Sequence, residues 1–280
     1  MPRRFSAPGA AATGTPAARR DIEGIIAAAL GWEVKAVLGA LTAVRRFHSR
    51  GTPSWIGAAG PRRLLVIRTG IGPERVRAAL ANVDIARTGA RWLLSTGCAG
   101  ALVPDLDAGA MVVATRVVDD RGAVIGRPLD APAQALERWA RAREIVTHPG
   151  AFVSVARPLL SAAEKRAAHE QLGGIAVEME GAALAAAAAE RGVPFLAVRV
   201  ILDGVGVAVP DFGDARDLRS LAGAVARHPA ALGRAARLWP AQRTARAALE
   251  RFLRAFFAVT GFGALELAEA AEVPESRAGS

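Results

Sequence analysis

The chain has a single cysteine, Cys98, in 280 residues. That excludes an internal disulfide and fits a reducing cytoplasm. Lysine is almost absent: only Lys35 and Lys165 occur, so the formal net charge of +10 rests on arginine. A basic surface attracts phosphate, nucleic acid or anionic lipid. Here four of the arginines fall in the first twenty residues, and no zinc-finger, RNP-type or KH motif accompanies them. Specific nucleic-acid recognition is therefore not the expected role. No stretch of about 20 strongly apolar residues lies between polar flanks, as a membrane span requires. The opening MPRRFSAPGAAATGTPAARR has no Leu/Val-rich segment of the kind a secretory signal carries. His48, His148, His169 and His228 are scattered without metal-ligand spacing, so neither a metal nor a cofactor is expected. There is no Walker A lysine motif and no G-x-S-x-G elbow. TGIGPERV falls short of the dinucleotide fingerprint, because Arg75 stands where the third glycine belongs and no acidic residue ends the next strand.

What is present is apolar and alternating. Hydrophobic residues make up 52% of the chain and mean hydropathy is +0.24, enough for a sizeable core in one α/β domain. Residues 1–20, rich in Ala, Pro, Gly and Arg without periodicity, are expected to be disordered. Strands are predicted over 22–29, 54–58, 63–69, 92–96, 111–118, 151–155, 175–179 and 195–202. Helical spacing predicts helices over 34–47 and 161–171, the second opened by Ser161 with Glu164 three residues on. Pro73 suits the first position of another helix, and GAALAAAAAERG reads as an Ala-rich helix closed by Gly192. Further helices are expected near 214–228 and 241–258, whereas GCAGAL reads as a turn and 119–150 as loop with a short helix. The alternation predicts a single α/β domain over 21–230 with a mixed, mostly parallel sheet flanked by helices. Residues 231–280 read as a basic helical extension with a disordered end.

In such sheets ligands bind beyond the carboxyl ends of the strands, which directs attention to Glu33, Cys98, Glu178, Glu180 and Asp203. In VEMEGAA, Glu178 and Glu180 are two residues apart and share a face if the strand continues. Two acids closing an apolar strand are poor core residues. One of them can instead cap the following helix or pair with an arginine. Asp203 closes the apolar run FLAVRVIL and precedes Gly204. It reads either as a turn aspartate or as an acid whose proton is held by its apolar surroundings.

GIGPERVRAAL, STGCAGAL and VEMEGAALAAAAAERGVPFLAVRVILD together resemble the superfamily of purine nucleoside phosphorylases and methylthioadenosine/S-adenosylhomocysteine nucleosidases. The match runs in order over roughly 22–230, and Val177 to Asp203 resembles the nucleosidase branch most closely. The resemblance implies cleavage of the N-glycosidic bond of a purine nucleoside, an adenine nucleoside in that branch. Asp203 would protonate N7 of the departing base, and Glu33 would activate water. Glu180 would accept hydrogen bonds from the ribose hydroxyls, with Glu178 beside it, and Met179 would pack on the sugar. Phe152 would stack on the base, with Val153 next to it in the substrate-binding set, and Cys98, Ala99 and Gly100 would line the sugar. The pattern departs from the nucleosidases at Leu202 and Cys98, where they usually carry serine, and at Gly150, where they carry aspartate.

Phosphorolysis needs cations around phosphate. The related phosphorylases carry an arginine where this chain has Ser95, although Arg68 can approach from a neighbouring strand end. With Glu33 in place, water is the expected nucleophile and phosphorolysis the alternative. The resemblance also implies a homodimer or larger homo-oligomer. A non-catalytic nucleoside-binding or membrane-surface protein is the non-enzyme alternative. Between Arg227 and Arg254 stand seven arginines and one acid, Glu250, a balance of 7 − 1 = +6, with Leu249, Phe252, Leu253, Phe256 and Phe257 at helical spacing. Such a helix either packs on the protein or makes peripheral membrane contact through 241–258. The second reading would suit a lipid-linked adenosine such as adenosylhopane, the substrate of a hopanoid-associated branch.

Overall fold

The structure, a computed structural model, describes residues 22–83, 85–127, 129–209 and 229–258. The expectations for residues 1–20, for a helix over 214–228 and for the end of the chain lie outside them. Among the described residues ten strands form one sheet: β1 (Gly24–Ala28), β2 (Thr42–Ser49), β3 (Thr52–Ala59), β4 (Arg62–Arg68), β5 (Trp92–Ala101), β6 (Met111–Asp119), β7 (Val124–Ile125), β8 (Thr147–Ser154), β9 (Ala176–Glu178) and β10 (Phe195–Asp203). The helices are α1 (Gly31–Gly39), α2 (Pro73–Asn82), α3 (Ile85–Thr88), α4 (Asp130–Arg141), α5 (Ala162–Leu172), α6 (Gly181–Glu190) and α7 (Pro229–Phe257).

The sheet is organised around β5. Its first half pairs with β1 on one side, Gly24 to Ala27 against Trp92 to Ser95. On the other side β10 runs parallel to it from Phe195–Leu93 to Asp203–Gly100. Past Ser95 the strand leaves β1, and Gly100 and Ala101 pair with Val177 and Ala176 of β9. Since β10 also pairs with β6, β6 with β8 and β8 with β9, five strands close a ring. GCAGA is thus strand, not turn, because both of its edges find partners. Strands β1, β4, β3 and β2 extend the sheet outward. Five of the ten ladders are antiparallel, so the mixed α/β fold is half parallel rather than mostly parallel. The hairpins joining β2, β3 and β4 account for two of the antiparallel pairs.

Helix α1 stops at Gly39, well short of residue 47. Thr42 to Ser49 pair with β3 instead. Val44, at helical spacing in the sequence, is 38% exposed on that strand. The capping box at Ser161 forms as its sequence predicts: Ser161 Oγ accepts from Glu164 N, and Glu164 Oε2 accepts from Ser161 N. Helix α2 carries Pro73 in its first turn, where the missing N–H costs nothing. In α6 an alanine run supplies the residue of highest helix propensity. In the region expected to be loop with a short helix, that helix is α4, of 12 residues.

Two cores lie on opposite faces of the sheet. Val76, Leu80, Leu184 and Ala188 of α2 and α6 cover one. Val34 and Val37 of α1, Leu136 and Trp139 of α4, and the apolar side of α7 cover the other. Leu249, Phe252, Leu253, Phe256 and Phe257 of α7 are all buried, and Trp139 meets Phe252 and Phe256 edge-on with centroids 5.9 and 5.6 Å away. These are the side chains that would have entered a bilayer interface. They are spent inside the protein, so the membrane reading of 241–258 loses its apolar face. The helix is part of the domain rather than an extension beyond residue 230, and it packs on α1 and β10. Among the described residues no helix is long and apolar enough to cross a membrane.

Because α7 closes a core, Phe252→Ala should lower folding stability by about 3–5 kcal/mol, the usual loss for a buried phenylalanine. Arg246→Ala on the exposed side should change it by less than about 0.5 kcal/mol. Urea unfolding followed by circular dichroism measures both. A change below about 1 kcal/mol for Phe252→Ala would mean that α7 is not part of the core.

Candidate active site

Four carboxylates gather where β1, β5, β9 and β10 end, and each is held differently. Glu33 stands in the first turn of α1 and is buried. Its Oε2 accepts from the backbone N–H of Ala29 at 3.0 Å and Leu30 at 2.7 Å, and its Oε1 accepts from Cys98 N at 2.8 Å. A helix start leaves N–H groups without partners, and Glu33 satisfies them while tying α1 to β5. The Cys98 thiol also hydrogen-bonds to this carboxylate, so both ends of Cys98, backbone and side chain, hold it. Gly97, whose φ is +151°, leaves room for this carboxylate: a Cβ there would stand 2.7 Å from Glu33 Oε1.

Glu178 caps α6 and forms an ion pair at once. Its oxygens accept from Gly181 N at 2.7 and 2.9 Å and from Glu180 N at 3.1 Å, and Arg199 Nη2 lies 2.8 Å from Oε2. The sequence left its role open between substrate, cap and arginine partner. The structure places it in both structural roles. Glu180, two residues on, is also buried, and its Oε1 accepts from Gly72 N at 2.9 Å across the β4–α2 turn. Burial first, and the Glu178 carboxylate next to it, push Glu180 up to about 8 against the opposing pull of Arg199.

Asp203 ends β10 behind a bulge in its pairing with β5. Burial raises its pKa, opposed by Lys165. Lys165 Nζ forms a short ion pair with Asp203 Oδ2 and donates to the carbonyls of Gly204 and Val207, both at 2.9 Å. Gly100 lies against this acid: a Cβ there would stand 3.1 Å from Asp203 Oδ2. The Cys98 thiol is partly buried between the acids. Burial and then the Glu33 carboxylate push it well above its ordinary value. It is therefore a protonated wall residue rather than a nucleophile.

Two side chains that the sequence reading passed over complete the site. Arg199 lies in the middle of β10 and is 2% exposed. Besides Glu178 it reaches Ser95 Oγ at 2.8 Å and the Val198 carbonyl at 3.2 Å. A guanidinium at the centre of FLAVRVIL must find an acid, and that was the available signal. Lys165 is hidden by its place in a polar helix; its one signal is that it is a lysine in a chain that otherwise uses arginine.

A void of about 10 Å³ lies among Glu33, Ser95, Thr96, Cys98, Glu180 and Arg199, close to the space one water needs. Thr96 Oγ1 is the single buried side-chain polar atom without a hydrogen-bond partner among the described residues. A larger cavity of about 560 Å³ adjoins Met179, between α2, α6 and the ends of β6 and β8. That is the size of a small-molecule site, although Glu33, Glu180 and Asp203 are not on its walls. Met179 is half-buried and faces it. Ala99 and Gly100 lie on the β5 segment that pairs with β10.

Phe152 and Val153 are placed otherwise than expected. Phe152 is fully buried in the core with Val112, Val117 and Ala176, and Val153 with Leu102, Val118 and Val177. Neither presents accessible surface, so stacking on a base requires that face to open. Arg68 is exposed at the end of β4, and its Nη1 would stand 3.9 Å from a Cβ on Gly31. It does not line the small void. Among the described residues no group of three His, Cys, Asp or Glu side chains is arranged to hold a metal ion.

Among curated protein sequences none matches the chain. Solved structures share its fold. A Helicobacter pylori MTAN mutant with 5'-methylthioadenosine in its active site superposes with a TM-score of 0.62 at 19% identity, covering 82% of this chain and 97% of its own. The futalosine hydrolase of the same organism gives 0.62 at 18% identity, over 90% and 98%. An S-adenosylhomocysteine nucleosidase from Streptococcus pyogenes gives 0.62 at 22% identity, over 82% and 95%. The model of the Phosphorylase superfamily matches residues 24–236, most of the chain, and the chain belongs to that superfamily.

Proposed function

We propose that the chain hydrolyses the N-glycosidic bond of a purine nucleoside and releases the free base. The observation that carries this reading is the meeting of Glu33, Glu180 and Asp203 at one end of the sheet, each in a different electrostatic setting. Breaking a ribosyl C–N bond leaves positive charge on the sugar and negative charge on the base. Asp203, whose pKa burial raises, is suited to supply a proton to the base. Glu180 stands among the acids around Arg199 and suits the ribose hydroxyls. Glu33 lies beside a water-sized void and suits the attacking water.

The pairing of the cations favours water over phosphate. Two buried cations, Arg199 and Lys165, stand among Glu33, Glu178, Glu180 and Asp203. Both cations are already paired with carboxylates, and Arg68 stands outside the void. Among the described residues a phosphate anion would find no free guanidinium at the void to receive it. The adenine nucleosides named for the related structures make adenosine and 5'-methylthioadenosine the first substrates to try. The lipid-linked adenosine reading has lost its support, since the apolar face of α7 is buried.

The direct test is release of free purine from adenosine, inosine and 5'-methylthioadenosine, with and without phosphate. Asp203→Asn should keep the fold and reduce base release by about 10²–10⁴-fold, the usual worth of a general acid. The wild-type rate should not depend on phosphate. Wild-type turnover in Asp203→Asn would make Asp203 a turn residue, and formation of a sugar 1-phosphate would assign the chain to phosphorolysis.

Glu180 also makes folding depend on pH. Its proton stays on in the folded protein up to about 8 and leaves the unfolded chain near 4.5, the ordinary value of a glutamate. Between these values the folded state binds more protons, so its stability falls as pH rises. Glu180→Gln should flatten that slope in denaturant midpoints measured from pH 5 to pH 8. A slope identical to wild type would mean that Glu180 is ionised throughout.

A further inference from the structure

The partners of Lys165 assign it a part in the reaction proposed above, on which this inference rests. Lys165 is 1% exposed, and the three donors of its ammonium are all used: one on Asp203 Oδ2 and two on the carbonyls of Gly204 and Val207. Among the described residues no other cation acts on Asp203. Around the acid stand Lys165 from α5, the Cys98 thiol from β5, and Asp107 from the β5–β6 connection. A Cβ on Gly204 would lie 3.6 Å from Asp107 Oδ1. Asp203 Oδ1 accepts no hydrogen bond among the described residues.

We propose that Lys165 is the positioning residue of the acid: it fixes Asp203 through Oδ2, leaves Oδ1 for the departing base, and stabilises the carboxylate formed when the proton has gone. The C–N bonding pair moves to the base as the sugar carbon is attacked by water oxygen, and Asp203 transfers its proton to the base. The water proton passes to Glu33. Asp203 is left as a carboxylate paired with an ammonium that was there beforehand, so no buried charge is created without a partner. The site therefore combines two opposed requirements. Burial raises the acid's pKa and so favours its protonated form, and the ammonium makes departure of the proton less costly. The two carbonyl bonds add rigidity by tethering residues 204–207, which follow the acid directly. An ammonium in a pre-built socket of three acceptors needs no rearrangement during the reaction.

The test compares Lys165→Met and Lys165→Arg with wild type on the nucleoside that wild type cleaves best. Activity needs protonated Asp203 and is lost as pH rises through its titration. Without the ammonium the carboxylate is less stable, so in Lys165→Met that limb should move to higher pH, kcat should fall about 10–10²-fold, the scale of a misplaced catalytic group, and KM should change little. Lys165→Arg keeps the charge and should leave the limb in place, with kcat between the two. A wild-type kcat and an unmoved limb in Lys165→Met overturn the proposal. Should Lys165→Met fail to fold, Lys165→Arg decides: a shifted limb or an undiminished kcat overturns it. If wild type releases base from no nucleoside, the hydrolase reading fails by itself. A ¹³C-carboxyl titration of Asp203 in wild type and the two variants then tests Lys165 separately. An upward-shifted midpoint in Lys165→Met, or, where that variant does not fold, an unchanged one in Lys165→Arg, supports the proposal. The opposite result in either variant overturns it.

Discussion

The ion pair between Arg199 and Glu178 is the contact on which the site depends. Arg199 comes from the middle of β10, Glu178 from the end of β9, and Ser95 from β5. One guanidinium thus fastens three strands of the closed part of the sheet. Glu178 in turn accepts the free N–H groups at the start of α6, which places Glu180. Burying charge is costly unless the group is paired and hydrogen-bonded, and here both partners are. Removing either would leave an uncompensated buried charge, a loss of about 3–5 kcal/mol. Only with Arg199 in place can Glu33, Glu178 and Glu180 be gathered in a protein interior, since all three act on its guanidinium.

One kind of group is then made to do different work by its surroundings. Glu33 is held by three backbone N–H groups, Glu178 by Arg199 and a helix start, Glu180 by a single N–H beside another acid, and Asp203 by a buried ammonium. Glu180 and Asp203 are raised by burial. Carboxyl groups whose environments separate their titrations can serve as acid and as base in the same site. Helix α7 supports the arrangement from behind, packing on α1, which carries Glu33, and on β10, which carries Asp203 and Arg199.

The acids were legible in the sequence because each breaks a pattern. Glu180 and Asp203 interrupt or end apolar runs, and Glu33 opens a helix after a buried strand. Pairing was not legible. Nothing local announces that Ser95 and Glu178 flank Arg199, because the contacts join residues 104 and 21 positions apart in sequence. Lys165 was hidden by a polar helix whose capping box is correctly read while its partner lies 38 residues away. The strand character of GCAGA was missed for the same reason. Small residues read as a turn until two further strands supply the edges. Conversely, the Phe/Leu spacing of α7 was plain, but a helical stripe does not say what covers it. Here Trp139 and the sheet do.

The central claim is that water, guided by Glu33, attacks a sugar whose base leaves with a proton from Asp203. The most direct measurement is the reaction in H₂¹⁸O in phosphate buffer, with mass spectrometry of the sugar product. The account predicts free base together with a sugar carrying one ¹⁸O from the bond-forming step, read before exchange at the anomeric carbon, and a greatly slowed reaction in Glu33→Gln. A sugar 1-phosphate, or unimpaired turnover in Glu33→Gln, would contradict it.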